Sequence, residues 1–463
     1  MKYKICISVL LLWVGMQLAA SNNQKEVVIK IIETSDVHGN FFPYNFIERK
    51  EWSGGLSRVH SFVREQREKY GDNCLLMDNG DILQGQPTAY YYNFIDTASI
   101  HVAADVMNDM GYVAGNMGNH DIETGHAVYD RWVRQCDFPV LGANIIDNAT
   151  GKPYLKPYEV LERDGVRIAV LGMITPAVPS WLPEKLWSGL CFEEMEPCAR
   201  KWVEVIKKKE NPDILIGLFH AGKSGNVLGQ VIEDASMDVA KRVPGFDVVL
   251  MGHDHTRECV KVQNVVGDSV LVIDPASNAN VVSEVTLTIT KKGGKVTAKS
   301  VEGRLVDMNK YPVSEEFMEK FAPQYKAVND FVSRKIGTIS RTITAKDAYF
   351  GSSPFIDLIH QLQLEISGAE VSFSAPLSFR AEIKEGDIYV SDMFNLYKYE
   401  NMLYVMKLSG KEIKDFLEMA YAIWTNQMKS PEDHLMLFKE PIEKGKRASF
   451  KNFSFNFDSA AGI

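Results

Sequence analysis

The chain has 463 residues, 45% of them apolar and 24% charged, the makeup of a globular protein of two or three domains and not of a disordered or fibrous one. Its formal net charge of −9 argues against a surface built to attract polyanions, so binding of nucleic-acid polymers is not expected. A small anionic ligand would need local positive charge, which metal ions can supply.

Lys2 and Lys4 precede the apolar run ICISVLLLWVGMQLAA, and Ala19 and Ala20 offer a small-residue cleavage point. Residues 1–20 therefore read as a signal peptide, and the mature chain as an exported protein, periplasmic or secreted, beginning near Ser21. No later segment approaches the ~18 apolar residues of a spanning helix, so no integral membrane segment is expected after the leader. Beyond it lie Cys74, Cys136, Cys191, Cys198 and Cys259, without metal-type CxxC spacing. A disulfide framework is not expected, and a single Cys191–Cys198 bridge stays open.

Short apolar runs rich in β-formers follow: VVIKII, CLLM, YVAG, VRIAVLGMI, DILIGLF, DVVLMG and SVLVID. Each stops where glycine, aspartate, histidine or asparagine begins. That is the pattern of buried strands feeding loops in a layered α/β domain, here residues 25–308. Between 309 and 335, Phe317, Phe321, Tyr325 and Val328 keep helical spacing and predict a linker helix. IGTISRTITA then opens a second α/β domain over 336–463. SGG at 53–55 and KKGG at 291–294 lack the spacing of a nucleotide-binding glycine loop and read as turns.

The chemistry gathers where the strands stop. Asp36 and His38 follow the first run, Asp81 the second, Asn119 and His120 the third (in YVAGNMGNHDIETG), His220 the DILIGLF run, and His253 and His255 the DVVLMG run. Taken singly, each has an ordinary reading: Asp-x-His as a turn, Asp81 as a turn residue, Asn119 as a left-handed turn former, His220 as a helix entry. Five such pieces at strand ends point to one crevice, because strand ends of an open α/β sheet converge. Carboxylate, amide oxygen and imidazole together suit Mn, Zn or Fe, and the lack of thiolates argues against a structural zinc site. Seven groups exceed one ion's needs. Two ions ~3.5–4 Å apart could use them if a carboxylate bridged, and Asp81, beside Gly80, is the natural bridge.

The motifs SDVHGNFFPY, DNGDILQGQP, GNMGNHDIETG, LFHAG and GHDH resemble those of the calcineurin-like metallophosphoesterases, in particular the exported 5′-nucleotidase superfamily. DNGDILQGQP and NLYKYENMLYVMKLSGKEIKDFLE are similar to its 2′,3′-cyclic-nucleotide 2′-phosphodiesterase/3′-nucleotidase branch. The resemblance implies a layered metallophosphoesterase sandwich with a helix-linked second α/β domain. It also implies two divalent ions, one on Asp36, His38, Asp81 and His255, the other on Asp81, Asn119, His220 and His253. His120, left free of metal, would face substrate, stabilising phosphoryl charge or protonating the leaving oxygen. Asp121 is not expected to be a ligand. Where the family's 5′-nucleotidases carry aspartate three residues after this histidine, the chain has Glu123, either partner of the imidazole or a surface residue.

Hydrolysis would then use water activated at the ions, in keeping with the absence of a GxSxG elbow. Tyr397 and Tyr399 alternate with polar residues as on one face of a strand, which alone reads as half-buried core. The resemblance instead makes Tyr399 the base-stacking aromatic, with Asn401 beside it and Arg380 as a further phosphate or ribose contact. The family's second domain normally continues past FKNFSFNFDSAAGI to supply a second aromatic wall, so residues 336–463 read as an incomplete, truncated domain. The expected substrates are 2′,3′-cyclic nucleotides and 3′-nucleotides. A 5′-nucleotidase, or a non-catalytic exported nucleotide-binding protein, are the alternatives.

Overall fold

The computed structural model describes residues 24–349, 351–375, 377–378, 380–397, 402–422, 425–433 and 437. Two compact units meet in sequence between Val328 and Asn329. The large sheets of the first unit use, in chain order, β1 (Gln24–Thr34), β2 (Cys74–Asp78), β3 (Ala114–Asn116), β4 (Val140–Leu141), β5 (Tyr158–Arg163), β6 (Val166–Ile174), β7 (Ile214–His220), β8 (Val248–Met251), β9 (Arg257–Gln263), β10 (Ser269–Pro275), β11 (Val281–Lys292) and β12 (Lys295–Asp307).

One sheet runs β12-β11-β1-β2-β3-β4 and the other β9-β10-β8-β7-β6-β5. Parallel neighbours form one block in each (β1, β2, β3 and β4; β6, β7, β8 and β10); antiparallel pairing adds β11 and β12 on one side of the first sheet, whose other edge is the parallel β4, and closes both edges of the second with β5 and β9. The two-residue alternation of the strands explains the layering. Val27, Ile29 and Ile31 of β1 share one buried cluster with Ile168 and Val170 of β6, Ile214, Ile216 and Leu218 of β7, and Leu287 and Ile289 of β11. The intervening residues Leu171, Met173, Leu215, Phe219 and Met251 point the other way, onto Met195, Cys198, Val203 and Ile206 of the helix Met195–Glu210. Each fully buried aliphatic side chain is worth roughly 1.5–3 kcal/mol relative to exposure. Central strands such as β2, β7 and β8 are therefore apolar along their length and carry polar residues at or just beyond their ends. The apolar runs quoted above lie in these strands; YVAG is displaced slightly, the strand being Ala114–Asn116.

The linker is corrected in form. It is two helices, α1 (Glu315–Lys320) and α2 (Ala322–Val332), because Phe321 leaves helical geometry and Pro323 has no N–H to donate across the junction. Ser314 caps α1 by accepting from the Phe317 N–H (3.2 Å). Phe317, Phe321 and Val328 are fully buried, with Phe42 edge-on to Phe317 and Tyr325 at 6.1 and 5.3 Å between ring centroids. The helical stripe thus belongs to the core of the first unit up to Val328.

In the second unit, Lys335–Ile339 pairs with Gly386–Tyr389, and Ile343–Thr344 with Glu382–Ile383, over a core that includes Phe355, Ile356 and Ile359 of the helix Pro354–Ser367. The strand reading of NLYKYENML is corrected at its start. Asp392 accepts from the Tyr389 N–H (2.7 Å) and opens the helix Val390–Leu396, so Asn395 and Leu396 are helical and Tyr397 caps them. Tyr399 and Asn401 lie outside the described residues. Residues 403–408 join no strand among those described, and Leu403, Tyr404, Val405 and Met406 are exposed. The cysteines Cys74, Cys136, Cys191, Cys198 and Cys259 are free, so no Cys191–Cys198 bridge forms. Among the described residues no helix is long and apolar enough to cross a membrane.

Candidate metal centre

The residues after β1, β2, β3, β7 and β8 come together at one end of the first unit, drawn from both sheets. The loops carrying them are laced by backbone hydrogen bonds: Asp36 N–H to Gly80 O (2.9 Å), His38 N–H to Asp81 O (2.9 Å) and Asn278 N–H to Asp36 O (2.8 Å). Asp36, His38, Asp81, His253 and His255 all sit at positive φ, between 50° and 80°. A non-glycine residue held there costs on the order of 1–3 kcal/mol, a conformation retained where surrounding structure enforces it and a common mark of functional sites. Two glycines are required by close approach. A Cβ on Gly118 would lie 2.1 Å from Asp81 Oδ1, and one on Gly252 2.1 Å from Ser35 Oγ.

The side chains form two adjoining sets. In one, His38 Nε2 and His255 Nε2 are 3.1 Å apart, and they lie 3.9 and 3.2 Å from Asp36 Oδ1. In the other, His220 Nε2 lies 3.1 Å from both Asp81 Oδ2 and Asn119 Oδ1, with the His253 ring 5.4 Å from that of His220. Ligand atoms of Asp36, His38 and His255 all lie within 4.8 Å of one another, as do those of Asp81, His220 and His253. Asp36 Oδ1 and Asp81 Oδ2 are buried and lack a hydrogen bond of good geometry. One orphaned carboxylate oxygen per set, surrounded by imidazole nitrogens, is what a divalent cation would satisfy. The donors present fit such ions.

Without cations these groups perturb one another. Burial pushes Asp36 up, but His220 and His255 more than offset it and hold it at about 2. Asp81 is likewise held well below the usual carboxylate range by His220, His120 and His38 against its own burial. Burial drives His38 down to about 4. Burial would lower His220 too, yet Asp81 and Asp36 raise it to about 10.

His120 adjoins both sets without belonging to either: its ring centroid is 5.5 Å from that of His38, and its N–H donates to Asp81 Oδ1 (2.8 Å). The His120 Nδ1 and Glu123 Oε2 atoms are 2.5 Å apart. Of the two readings open for Glu123, the geometry is that of an imidazole partner: residues i and i+3 of one helical turn, here Asn119–Glu123, face the same way. Burial lowers His120, but Asp81 and Glu123 outweigh it and lift it to about 9.

Other residues of the centre escaped the sequence reading. The Asp121 carboxylate accepts from the N–H groups of Asp81, Ile82, Leu83 and Gly118, at 2.8 to 2.9 Å, and locks the Asp81 loop against the His120 turn. The Asn79 side chain donates to Glu33 Oε1 (3.1 Å) in one sheet and to Phe219 O (3.1 Å) and Leu250 O (3.3 Å) in the other. Its backbone oxygen accepts from His220 Nδ1 (2.7 Å). Glu233 Oε1 stands 3.1 Å from His253 Nε2. The available signal for Asn79 was an amide directly after an apolar strand; nothing in the spacing marked Glu233. Arg380 is exposed in the second unit.

Residues 29–257 match the family described as calcineurin-like phosphoesterase, and residues 335–460 the 5′-nucleotidase C-terminal domain. The chain is 25% identical over 456 residues to a 2′,3′-cyclic-nucleotide 2′-phosphodiesterase/3′-nucleotidase of Yersinia enterocolitica, covering 88% of this chain and 69% of that one. It is 28% identical over 247 residues to a 5′-nucleotidase of Vibrio cholerae, covering 52% and 43%. The fold is similar to that of a 5′-nucleotidase precursor from Thermus thermophilus, with a TM-score of 0.64 at 23% identity over 84% of this chain and 78% of that one. The two sequence matches and the paired sets of ligand-type side chains agree: the chain belongs to the calcineurin-like phosphoesterases that carry a 5′-nucleotidase C-terminal domain, hydrolases that use divalent metals.

Proposed function

We propose that this chain is an exported two-metal hydrolase of nucleotide phosphate esters, acting on 2′,3′-cyclic nucleotides and 3′-nucleotides. The observation that carries the reading is the meeting of Asp36, His38 and His255 with Asp81, Asn119, His220 and His253, with His120 beside both sets. Asp36, His38, Asp81 and His255 would hold one ion, and Asp81, Asn119, His220 and His253 the other. Such ions, when bound, supply positive charge to phosphoryl oxygens and lower the pKa of water towards ~7. The chain's own residues do the rest. Asp81 Oδ1 holds the His120 backbone, Glu123 fixes the His120 ring, and His120 carries a proton that it can donate to the leaving oxygen. Export is supported by Lys2 and Lys4 ahead of a short apolar run ending in Ala19–Ala20.

The choice of substrate is supported by the relatives named for cyclic-nucleotide and 3′-nucleotide hydrolysis. A 5′-nucleotidase reading uses the same centre and is supported by relatives named for that activity. A panel of 2′,3′-cyclic AMP, 3′-AMP and 5′-AMP on manganese-loaded protein separates them. The expected outcome is kcat/KM at least ~10-fold higher for the first two, a difference of ~1.4 kcal/mol in transition-state binding. The reverse order would establish the 5′-nucleotidase.

A further inference from the structure

Two of the ligand-type imidazoles, His38 and His220, share one arrangement. His38 Nδ1 meets the Gln84 carbonyl oxygen at 3.0 Å, and His220 Nδ1 the Asn79 carbonyl oxygen at 2.7 Å. A carbonyl oxygen only accepts, so each Nδ1 carries a hydrogen, and Nε2 is the nitrogen turned towards the carboxylates and left to bind an ion. His253 is turned the other way. Its Nε2 faces Glu233 Oε1 at 3.1 Å, and a carboxylate likewise only accepts.

Glu233 is itself firmly placed. It follows the short strand Val231–Ile232; its N–H donates to Asn226 O (2.9 Å), and its carbonyl oxygen accepts from Thr175 Oγ1 (2.9 Å). The neighbouring Asp234 closes the loop, Oδ1 accepting from Gly222 N–H and Oδ2 from Asn226 Nδ2, both at 2.8 Å. The His253 ring is flanked by those of Trp181 (5.6 Å) and His220 (5.4 Å), so it has little room to rotate. Glu233, Asp234 and His253 also lie close enough to hold an ion of their own. Both Asp234 oxygens are already engaged by the loop, which favours Glu233 as an orienting group over a third ion site.

We propose that Glu233 is the positioning residue of His253: by accepting its Nε2 hydrogen it keeps Nδ1 bare and aimed at the ion shared with Asp81, Asn119 and His220. The proposal rests on the two-ion reading above. Outer partners of this kind typically change metal affinity 10–100-fold when removed.

The test uses the full chain, stripped of metal and titrated with Mn²⁺, the free ion being followed by its electron paramagnetic resonance signal. The wild-type protein is expected to take up two equivalents. Glu233→Ala should weaken one of the two sites about 10–100-fold, and Glu233→Gln, which keeps an acceptor oxygen, should recover part of that loss. The metal-stripped proteins should share one Tm. Wild-type affinity at both sites in Glu233→Ala overturns the proposal. So does a lowered Tm of the stripped Glu233→Ala protein, which would make Glu233 a loop-folding residue. A Glu233→Gln protein as weak as Glu233→Ala also overturns it, by making Glu233 a direct ligand. Fewer than two equivalents in the wild-type protein would instead remove the two-ion reading, and this inference with it.

Discussion

The two halves of the metal centre are built from the same residue types and differ in depth. Around Asp36 and His38, the third member, His255, keeps 45% of its side chain exposed. Around Asp81 and His220 almost nothing is exposed, at 1% and 0%. The deep half takes Asp81, Asn119 and His220 from the ends of β2, β3 and β7, held by Asp121 and Asn79; the shallow half takes Asp36 and His38 from the loop after β1, and the loop after β8 gives His253 to the first and His255 to the second. Depth changes the protonation chemistry. His38 is neutral before any ion arrives, whereas the carboxylates around His220 keep it protonated up to about 10. Against its own burial, His255 of the shallow half is raised as well, by Asp36, so both halves hold a proton that a bound ion would displace.

The largest expected effect erases this difference. On the proposed two-ion reading Asp81 would serve both halves, so Asp81→Asn should cost at least ~10³-fold in turnover and lower bound metal in each, the loss of several kcal/mol of charge stabilisation. Two tightly bound equivalents in that variant would separate Asp81 from the metals. His120→Asn leaves both halves intact and should lower kcat by ~10²–10⁴-fold while two ions remain bound, read by metal analysis beside turnover. Unchanged turnover would remove His120 from the chemistry.

The third expectation sharpens the contrast. Since His220 is raised to about 10 and must lose a proton to bind, manganese affinity at its site should rise ~10-fold per pH unit between pH 6 and 8, with about one proton released there, measured in weakly buffered solution. A pH-independent affinity at both sites would show that His220 holds no proton to displace. The smallest effect concerns the neighbour of both. The Glu123 carboxylate raises His120, so Glu123→Gln should lower that pKa and move the alkaline fall of kcat to lower pH, leaving ~10-fold less activity at pH 8. An unmoved alkaline limb would show that Glu123 does not tune the imidazole.

The depth of the two halves could not be read from the sequence, although their members could be listed. Apolar runs ending in Asp, Asn and His expose a strand-end site because a buried strand can afford polarity only where it stops. That logic reached residues such as His220, at the last position of β7. It could not reach Glu233, which stands 20 residues before His253, across the helix Ser236–Arg242 and β8, and meets it only through the way its own loop is pinned. The four backbone N–H groups gathered by Asp121 and the positive φ angles at Asp36 and His253 were hidden too, since both are products of tertiary closure. The linker shows the opposite failure. Its 3.6-residue stripe was plain, but the spacing took no account of Pro323, and the stripe's packing partner, Phe42, lies far away in sequence. In the second unit, the helix that Asp392 starts runs into NLYKYENML as far as Leu396, a local capping bond that the alternation of Tyr397 and Tyr399 did not announce.

The amide of Asn79 reaches from one sheet to carbonyl oxygens of the other, at the level where the ligands meet. The centre therefore exists only after the sheets have docked, and the unfolded chain offers no comparable ion site. Each cation then acts as a clamp on assembly, adding ~2.7 kcal/mol to the folded unit when its free concentration is 100 times its Kd. Ion scarcity would leave the unit more often open to proteases, so the supply of metal would bear on the lifetime of the chain as well as on its rate of work.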